Sequence, residues 1–182
     1  MKELSLNILD VAKNSVSAGA LNIIISLVLD DNGWLTLTIE DDGCGMTEET
    51  VKNVVNPFYT TRKTRKVGLG LPLLKLAAEQ TGGELQLTSS VGEDHGTMVY
   101  ATFNTRSIDF MPVGDIVSTI CILIAGSPEI DFSFCDRSPS GEVNLDTREM
   151  KAVLGEGISL AEPEIQQWIS EYLKEQYRSL VK

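Results

Sequence analysis

Cysteine and histidine are scarce in this sequence of 182 residues. The three cysteines, Cys44, Cys121 and Cys135, form no Cys-x-x-Cys pair, and an odd number without a secretory leader favours reduced thiols. The N-terminal stretch MKELSLNILDVAKN is too polar for a signal peptide. The one histidine, His95, lies in the polar loop GEDHGT, where a solvated side chain is expected. We therefore expect a cytoplasmic protein with reduced thiols.

Long hydrophobic runs and positive charge are also lacking. The longest apolar run, residues 116–125, is interrupted by Ser118 and Thr119 and is far too short to span a bilayer. The chain has 15 basic and 26 acidic residues, which give a net charge of −11. Most of such a surface repels nucleic acid and anionic membranes, so we expect neither as a partner. The hydrophobic content of 42% is ordinary for a globular protein.

Hydrophobic periodicity predicts helices and strands in the first half of the chain. Residues 4–18 carry apolar side chains on one helical face, and residues 21–40 form two β-rich runs separated by the turn DNG. The other predicted elements are a short helix from Thr47, a helix with Pro72 in its first turn that runs to Gln80, and strands over residues 84–90 and 97–104.

The pattern changes near residue 105, and we divide the chain there into residues 1–105 and a smaller α+β region of residues 106–182. This second region has a predicted buried helix over residues 112–126, a hairpin that ends at Asp146, and a last helix that begins at Pro163. No low-complexity linker separates the two regions. We therefore expect the second region to pack directly on the first.

Two features of residues 106–182 allow both a structural and a functional interpretation. The last helix has an apolar stripe for which core packing is favoured over a docking surface; its members are Ile165, Trp168, Ile169, Tyr172, Leu173 and Tyr177. Five acidic residues could hold a metal, but no ligand spacing supports a site, and capping or solvation is favoured; they are Asp131, Asp136, Glu142, Asp146 and Glu149. Asp146 and Glu149 match an Asp-x-x-Glu capping box.

The first predicted helix carries Asp10 and Asn14 on one face, because residues four apart are neighbours on a helix. Asn7 lies close to the same line. An asparagine oxygen is a neutral, hard ligand suited to Mg²⁺ beside a polyphosphate, and a carboxylate one turn away can orient or deprotonate an attacking group. The alternative is a solvated helix face, although such faces favour Lys and Glu over Asn and Asp.

The stretch DDGCGM follows the predicted hairpin. Asp41 can accept a hydrogen bond from an exocyclic amine such as that of adenine, and Gly43 and Gly45 allow a planar ligand to lie against the backbone. The alternative is a turn that simply ends a strand.

A cationic segment leads into the helix that contains Pro72. Four basic residues fall within a five-residue window, and Gly68 and Gly70 follow; the four are Arg62, Lys63, Arg65 and Lys66. Free N–H groups and the dipole at a helix N-terminus favour anions, and Thr60 and Thr61 add hydroxyl donors. The combination favours a triphosphate site over a solvated loop.

Five stretches, taken in order, resemble the GHKL ATPase superfamily: LDVAKNSVSAGA, DDGCGM, NPFYTT, GLGLPLLK and GTMVYATF. This superfamily includes DNA gyrase B, the heat-shock chaperone, histidine kinases and mismatch-repair ATPases. Each stretch alone is a weak signal, whereas five in the right order are specific. The resemblance covers residues 3–104. It implies a Bergerat-type α/β fold, a two-layer sandwich with helices on one face of a mixed sheet, to which a small α+β C-terminal extension is added.

The resemblance also implies a role for each matched residue. Asn14 is expected to coordinate Mg²⁺, Asp41 to read adenine, and Thr97 to support the adenine end of the site. Phe58 is expected to begin the lid over ATP. The full set of expected ATP-binding residues is Asn14, Asp41, Gly43, Gly45, Met46, Phe58, Thr60, Thr61, Arg62, Lys66, Gly68, Leu69, Gly70, Leu71 and Thr97, and the expected catalytic residue is Asp10.

The sequence departs from the family pattern at three points. Members that hydrolyse ATP have a Glu four residues before the asparagine, where this chain has Asp10, one methylene shorter. Three residues after Asn14, many histidine kinases have Lys and mismatch-repair members have Asp, whereas this chain has Ser17. The lid is short, which argues against the large closure of gyrase.

Two functions are consistent with these features. The first is a histidine- or serine-kinase-like enzyme that binds Mg-ATP and phosphorylates a separate protein, because no phosphoacceptor helices precede the first motif. The second is an ATP-binding switch with slow hydrolysis, in which residues 106–182 dock a partner. A DNA-acting ATPase of gyrase or mismatch-repair type is disfavoured by the acidic charge and the length of the chain.

Overall fold

The computed structural model describes residues 3–55, 69–155 and 157–180. The elements follow in the order α1 (Leu4–Ser17), β1 (Asn22–Leu29), β2 (Trp34–Asp41), α2 (Glu48–Val54), α3 (Gly70–Gln80), β3 (Leu85–Ser90), β4 (Gly96–Asn104), α4 (Ile116–Gly126), β5 (Asp131–Ser138), β6 (Gly141–Asp146), α5 (Thr147–Leu154) and α6 (Pro163–Leu180). The helices and strands predicted from periodicity are confirmed, with boundaries that differ by a few residues.

The strands form one mixed sheet in the order β3-β4-β2-β1-β5-β6. All neighbouring strands are antiparallel except β1 and β5, which pair in parallel from Asn22↔Asp131 to Val28↔Arg137. The second half of the chain therefore extends the sheet of the first half through the parallel β1–β5 pair. The fold class predicted from the motifs, a mixed sheet with a helical layer, is confirmed.

The hydrophobic core lies between one face of the sheet and the helices. Along β1, Ile23, Ile25 and Leu27 are buried while the alternate residue Ile24 is exposed, as expected when one face of a strand is covered. The same alternation in β2, β4 and β5 places their buried residues on this face. Helices α3, α1, α4 and α6 contact one another in that order, so they form the second layer of the sandwich.

Local sequence signals position the shorter helices. The Thr47 side chain accepts a hydrogen bond from the Thr50 amide and caps α2, and Asp115 caps α4 through the Ser118 amide. Asp146 caps α5, where its carboxylate accepts hydrogen bonds from the amide and the side chain of Arg148. Hydrogen bonds to Arg148 lower the pKa of Asp146. Capping therefore accounts for Asp146, in agreement with its expected role.

The predicted core stripe of α6 is only partly buried. Ile169 and Leu173 are buried, whereas Trp168 and Tyr172 are about half exposed, at 50% and 42% of their surface. The reason is the position of α6 beside the outer edge of β6, where Gln176 bonds the backbone of Asn144. A helix at a sheet edge covers less core surface than one lying on the sheet, so the expectation that these two aromatic residues belong to the core was wrong.

Three further expectations are tested by the structure. The cysteines Cys44, Cys121 and Cys135 are unpaired. Within the described ranges, no group of three or more His, Cys, Asp or Glu side chains is arranged to hold a metal ion. No helix in the same ranges has the length and hydrophobicity needed to cross a membrane.

Candidate functional site

The exposed side of α1 presents Asp10 and Asn14, because its other side is buried against the sheet. Both side chains are half-buried. Asn7 is fully buried instead, and its amide group donates to the sulfur of Met111 at 3.4 Å. Asn7 therefore faces the segment after β4, while Asp10 and Asn14 remain accessible to a ligand.

The N-terminus of α3 lies directly against this part of α1. A Cβ added to Gly70 would be 3.3 Å from the Cβ of Asp10 and 3.9 Å from Nδ2 of Asn14. Leu69 precedes the helix without a side-chain cap, and the first turn has no acidic residue. The first amides of α3 thus stand beside Asp10 and Asn14 with a local environment that favours an anion.

Asp41 ends β2 and both of its carboxylate oxygens have protein partners. Oδ1 accepts a hydrogen bond from the amide of Gly43 at 2.9 Å, and Oδ2 accepts one from Oγ of Ser15 at 2.5 Å. Since each carboxylate oxygen has two acceptor sites, Asp41 retains the capacity to accept from a ligand amine. Ser15 follows Asn14 directly in the chain, so consecutive residues of α1 reach the two parts of the site.

The neighbouring Asp42 has a different role. Its Oδ1 accepts from the amides of Leu21 and Asn22, and its Oδ2 accepts from the side chain of Asn22. Burial raises the pKa of Asp42, but these hydrogen bonds outweigh it and hold the pKa below its ordinary value. Asp42 closes the turn between α1 and β1, so of the two consecutive aspartates it is Asp41 that belongs to the candidate site.

The glycines of the DDGCGM stretch allow this loop to approach two other elements. Gly45 has φ of +70°, and a Cβ there would lie 1.7 Å from the carbonyl oxygen of Ser90. A Cβ on Gly43 would lie 2.8 Å from the Cβ of Ala18 at the end of α1. The next residue, Cys44, donates its amide to the Ala18 carbonyl at 2.9 Å. Only glycine fits the Gly45 position, so the loop is fixed between α1 and the end of β3.

Thr97 lies opposite Asp41 in the β2–β4 ladder. Its hydroxyl is 2.8 Å from Oγ of Ser89, which also donates to the Gly96 carbonyl and accepts from the Met46 amide. The Ser89 hydroxyl thereby joins β3, β4 and the loop that follows Asp41. This network holds Asp41, Met46 and Thr97 close together at one end of the sheet.

Sequence reasoning missed Ser15, Ser89 and His95. Ser15 and Ser89 gave little signal, because serine is common in helices and strand ends and their partners are distant in the chain. His95 was expected to be a solvated loop residue. Its ring is exposed, yet its Nδ1 is 2.7 Å from the carbonyl oxygen of Gly43. His95 therefore contacts the loop that follows Asp41.

The expected lid falls largely outside the described residues. This applies to Phe58, Thr60, Thr61, Arg62, Lys66 and Gly68. Of the next residues, Leu69 is exposed, whereas the side chain of Leu71 is buried in the core. Leu71 can therefore contact a ligand through its backbone at the N-terminus of α3, but its side chain contributes to packing.

Comparison with known proteins identifies the family. The profile of a family described as histidine kinase-, DNA gyrase B- and HSP90-like ATPase matches residues 1–107. Sporulation kinase E of Bacillus subtilis is 34% identical over 106 residues, which cover 58% of this chain and 14% of that protein. This chain thus aligns with only a small part of that relative.

Similar solved structures extend the likeness in fold. The N-terminal domain of a DNA repair protein has a TM-score of 0.58 and 15% identity, over 86% of this chain and 58% of that one. The Aquifex aeolicus MutL ATPase domain complexed with ADP has a TM-score of 0.53 and 15% identity, over 85% of this chain and 69% of that one. The order of motifs, the site geometry and the match over residues 1–107 lead to one conclusion: the chain belongs to the family of histidine kinase-, DNA gyrase B- and HSP90-like ATPases.

Proposed function

We propose that this protein binds Mg-ATP and transfers the γ-phosphate to a separate protein, as a histidine-kinase-like phosphotransferase. The observation that carries the proposal is the contact of one α1 segment with both halves of the site. Ser15 donates to the Asp41 carboxylate, and its neighbour Asn14 faces Gly70 at the N-terminus of α3. A carboxylate for a purine and a helix N-terminus for its phosphates are thus held on one short, rigid scaffold.

The residues of this scaffold fit a Mg²⁺-nucleotide. Asn14 is the residue that would hold the ion, because its amide oxygen is a hard ligand and it lies beside the anion-favouring end of α3. When bound, Mg²⁺ neutralises phosphate charge during transfer. The lack of a Cβ at Gly70 leaves space next to Asp10 and Asn14 that any other side chain would fill.

The roles of the remaining residues follow from their positions. Asp41 accepts the adenine amine, while Ser15 and the Gly43 amide keep its carboxylate oriented. Asp10 orients the acceptor group and accepts its proton, since it is the carboxylate nearest Asn14 on α1 and lies beside Gly70. On sequence grounds, Arg62 and Lys66 supply positive charge to the transferred phosphate.

The first experiment is a titration with a non-hydrolysable ATP analogue. Asp41→Asn replaces an acceptor oxygen by a donor. Because a hydrogen bond to a charged group contributes roughly 1.5–3 kcal/mol, we expect this variant to lose about ten- to hundredfold in affinity for the analogue. Asp109→Asn makes the same change of charge at an exposed loop residue away from the site and should leave affinity unchanged. Equal affinity of the wild type and Asp41→Asn would remove Asp41 from the site.

A second titration tests Asn14. We expect Asn14→Ala to weaken binding in the presence of Mg²⁺ and to have little effect in the presence of a chelator, because the side chain acts through the ion. If Asn14→Ala weakens binding equally under both conditions, Asn14 acts on the nucleotide or on the fold and not on the metal.

A second candidate function is an ATP-binding switch with slow hydrolysis that docks a partner through residues 106–182. The order of strands in the sheet supports this function. Strand β1 pairs on one side with β2, which ends at Asp41, and on the other side with β5 of the C-terminal region, so β1 connects the candidate site to that region. The kinase function would be established if the wild type transfers labelled γ-phosphate to a partner and Asp10→Asn does not, while Asp10→Asn still binds the ATP analogue. A partner affinity that changes with nucleotide, without transfer, would establish the switch.

A further inference from the structure

The C-terminal helix α6 exposes two stacked aromatic side chains. The rings of Trp168 and Tyr172 are 5.5 Å apart and nearly parallel, with an interplanar angle of 18°. They are 50% and 42% exposed, although Ile169 and Leu173, one residue further along, are buried. Large aromatic side chains held rigidly at a surface are the residues that contribute most to protein–protein binding.

A groove leads from Tyr172, one member of this pair, to the open face of the sheet. It has a volume of about 240 Å³ and is lined by residues that include Tyr172, Ile24, Ser133 and Glu149. Ile24 is 46% exposed, on the opposite side of β1 from the buried residues Ile23 and Ile25. We define the α6 surface as Ile24, Glu149, Trp168 and Tyr172. It combines apolar anchors with a concave path between a helix and a sheet.

The charged residues around the α6 surface leave it negative. The cations Arg148, Lys151 and Arg178 are each paired with an acidic partner, which are Asp146, Asp131 and Glu175 respectively. Lys174, two residues after Tyr172, is exposed but lies on the opposite side of α6. Glu149, Glu164 and Glu171 are exposed, and none of the ion pairs between described residues includes them. On α6, Glu164 and Glu171 are four residues before and three after Trp168, so they lie on the same side of the helix.

We propose that the α6 surface docks a cationic segment of a partner protein, one that carries arginines together with an apolar anchor. An arginine stacks on the exposed side of Trp168, where the indole ring attracts a cation and supplies apolar contact area. The apolar anchor occupies the groove between Tyr172 and Ile24. A second copy of this chain is disfavoured as the occupant because each copy has a net charge of −11. The inference does not depend on nucleotide binding.

The test uses two synthetic fluorescent peptides of the same length, one amphipathic with arginine and leucine, the other with glutamate in place of arginine. We expect the arginine peptide to bind the wild type and the glutamate peptide not to bind, as measured by anisotropy. Trp168→Ser and Tyr172→Ser should each weaken the arginine peptide at least tenfold without changing the protein's charge. Ile108→Ser, at a 98% exposed apolar residue elsewhere, should not weaken it.

Three outcomes would overturn the proposal. Equal affinity of the wild type, Trp168→Ser and Tyr172→Ser would show that the peptide binds the acidic surface in general. Equal binding of both peptides would show that positive charge on the peptide does not contribute to docking. A wild type that sediments as a dimer, with Trp168→Ser as a monomer, would make a second copy the occupant. An unchanged far-UV circular dichroism spectrum of Trp168→Ser serves as the folding control, so this test does not depend on the nucleotide site.

Discussion

Individual residues near the candidate site owe their roles to partners that are distant in the chain. Asp41 and Asp42 are consecutive, yet Asp42 closes a turn with Asn22 while Asp41 faces Ser15 and Gly43. The direction of a strand decides this, since successive side chains point to opposite faces. Gly70 and Leu71 are also consecutive, and the turn of about 100° per residue in a helix directs Leu71 into the core while Gly70 stays half-buried beside Asp10.

Gly45 is the residue whose replacement should disturb the site most. We predict that Gly45→Ala lowers the free energy of unfolding by more than about 2 kcal/mol, because a left-handed φ costs about 1 kcal/mol and the new Cβ would overlap the Ser90 carbonyl. Gly82→Ala is the matched control, since Gly82 has φ of +82° but no atom within 4 Å of its added Cβ. Urea denaturation compares the two, and equal losses would show that the clash is relieved at no cost.

Asp136 gives the fold a dependence on pH. Its carboxylate is half-buried and accepts a hydrogen bond from the Tyr177 hydroxyl at 2.5 Å. Burial raises the pKa of Asp136 above the ordinary value of 3.8, although the hydrogen bond from Tyr177 opposes this. A raised pKa in the folded state means that proton binding stabilises the fold. The stability of the wild type relative to Asp136→Asn is therefore highest below pH 3.8 and is lost as the pH rises through the folded-state pKa.

The measurement is urea denaturation of both proteins between pH 3.5 and about 7. Acidic residues that the two proteins share cancel in the difference, so the slope reports Asp136. Tyr177→Phe removes the opposing hydrogen bond and should move the transition to higher pH. A stability difference that stays constant over this range would contradict the prediction.

At the scale of elements, α6 combines a structural and an exposed side. Its inner residues Ile169 and Leu173 pack on the core, and Gln176 bonds both the amide and the carbonyl of Asn144 in β6. An unpaired strand edge invites association with another chain, and a glutamine that satisfies both backbone groups protects it. Trp168 and Tyr172, eight and four residues before Gln176, lie on the same side of α6. This side meets the strand edge and not the core, so the two rings are partly exposed.

The contribution of Gln176 can be measured directly. We predict that Gln176→Ala lowers the free energy of unfolding by about 1 kcal/mol, because hydrogen bonds to a half-exposed backbone contribute roughly that amount. Gln167→Ala removes the same side chain at an exposed α6 position and should have an effect below about 0.5 kcal/mol. Thermal denaturation of the two variants gives the comparison; equal effects would show that Gln176 acts through helix propensity alone.

At the scale of the whole molecule, one sheet and one core include both halves of the chain. Buried residues from α1, β1 and β2 belong to the same hydrophobic cluster as those from α4, β5 and α6. The division at residue 105 into an ATPase domain and a C-terminal region remains a proposal about function. Since β1 pairs with β5 along seven residue pairs, we expect the two regions to unfold together.

The two tryptophans report on the two regions, because Trp34 lies in β2 and Trp168 in α6. We predict that the single-tryptophan variants Trp34→Phe and Trp168→Phe unfold in urea with the same cooperativity, and that far-UV circular dichroism of each variant follows its fluorescence. A fluorescence transition that precedes the loss of secondary structure in Trp34→Phe would show that α6 separates first.

The sequence by itself determined the helices and strands and the family to which the chain belongs. Apolar periods, capping residues and glycines act within a few residues of chain, so they predict helices, strands and the loop after Asp41 without knowledge of the fold. Only the tertiary structure decided that β5 pairs with β1, that Ser15 holds Asp41, that His95 contacts Gly43, and that Trp168 is exposed. The physical reason is that these contacts join residues far apart in the chain, and the local pattern specifies which face is apolar but not which surface covers it.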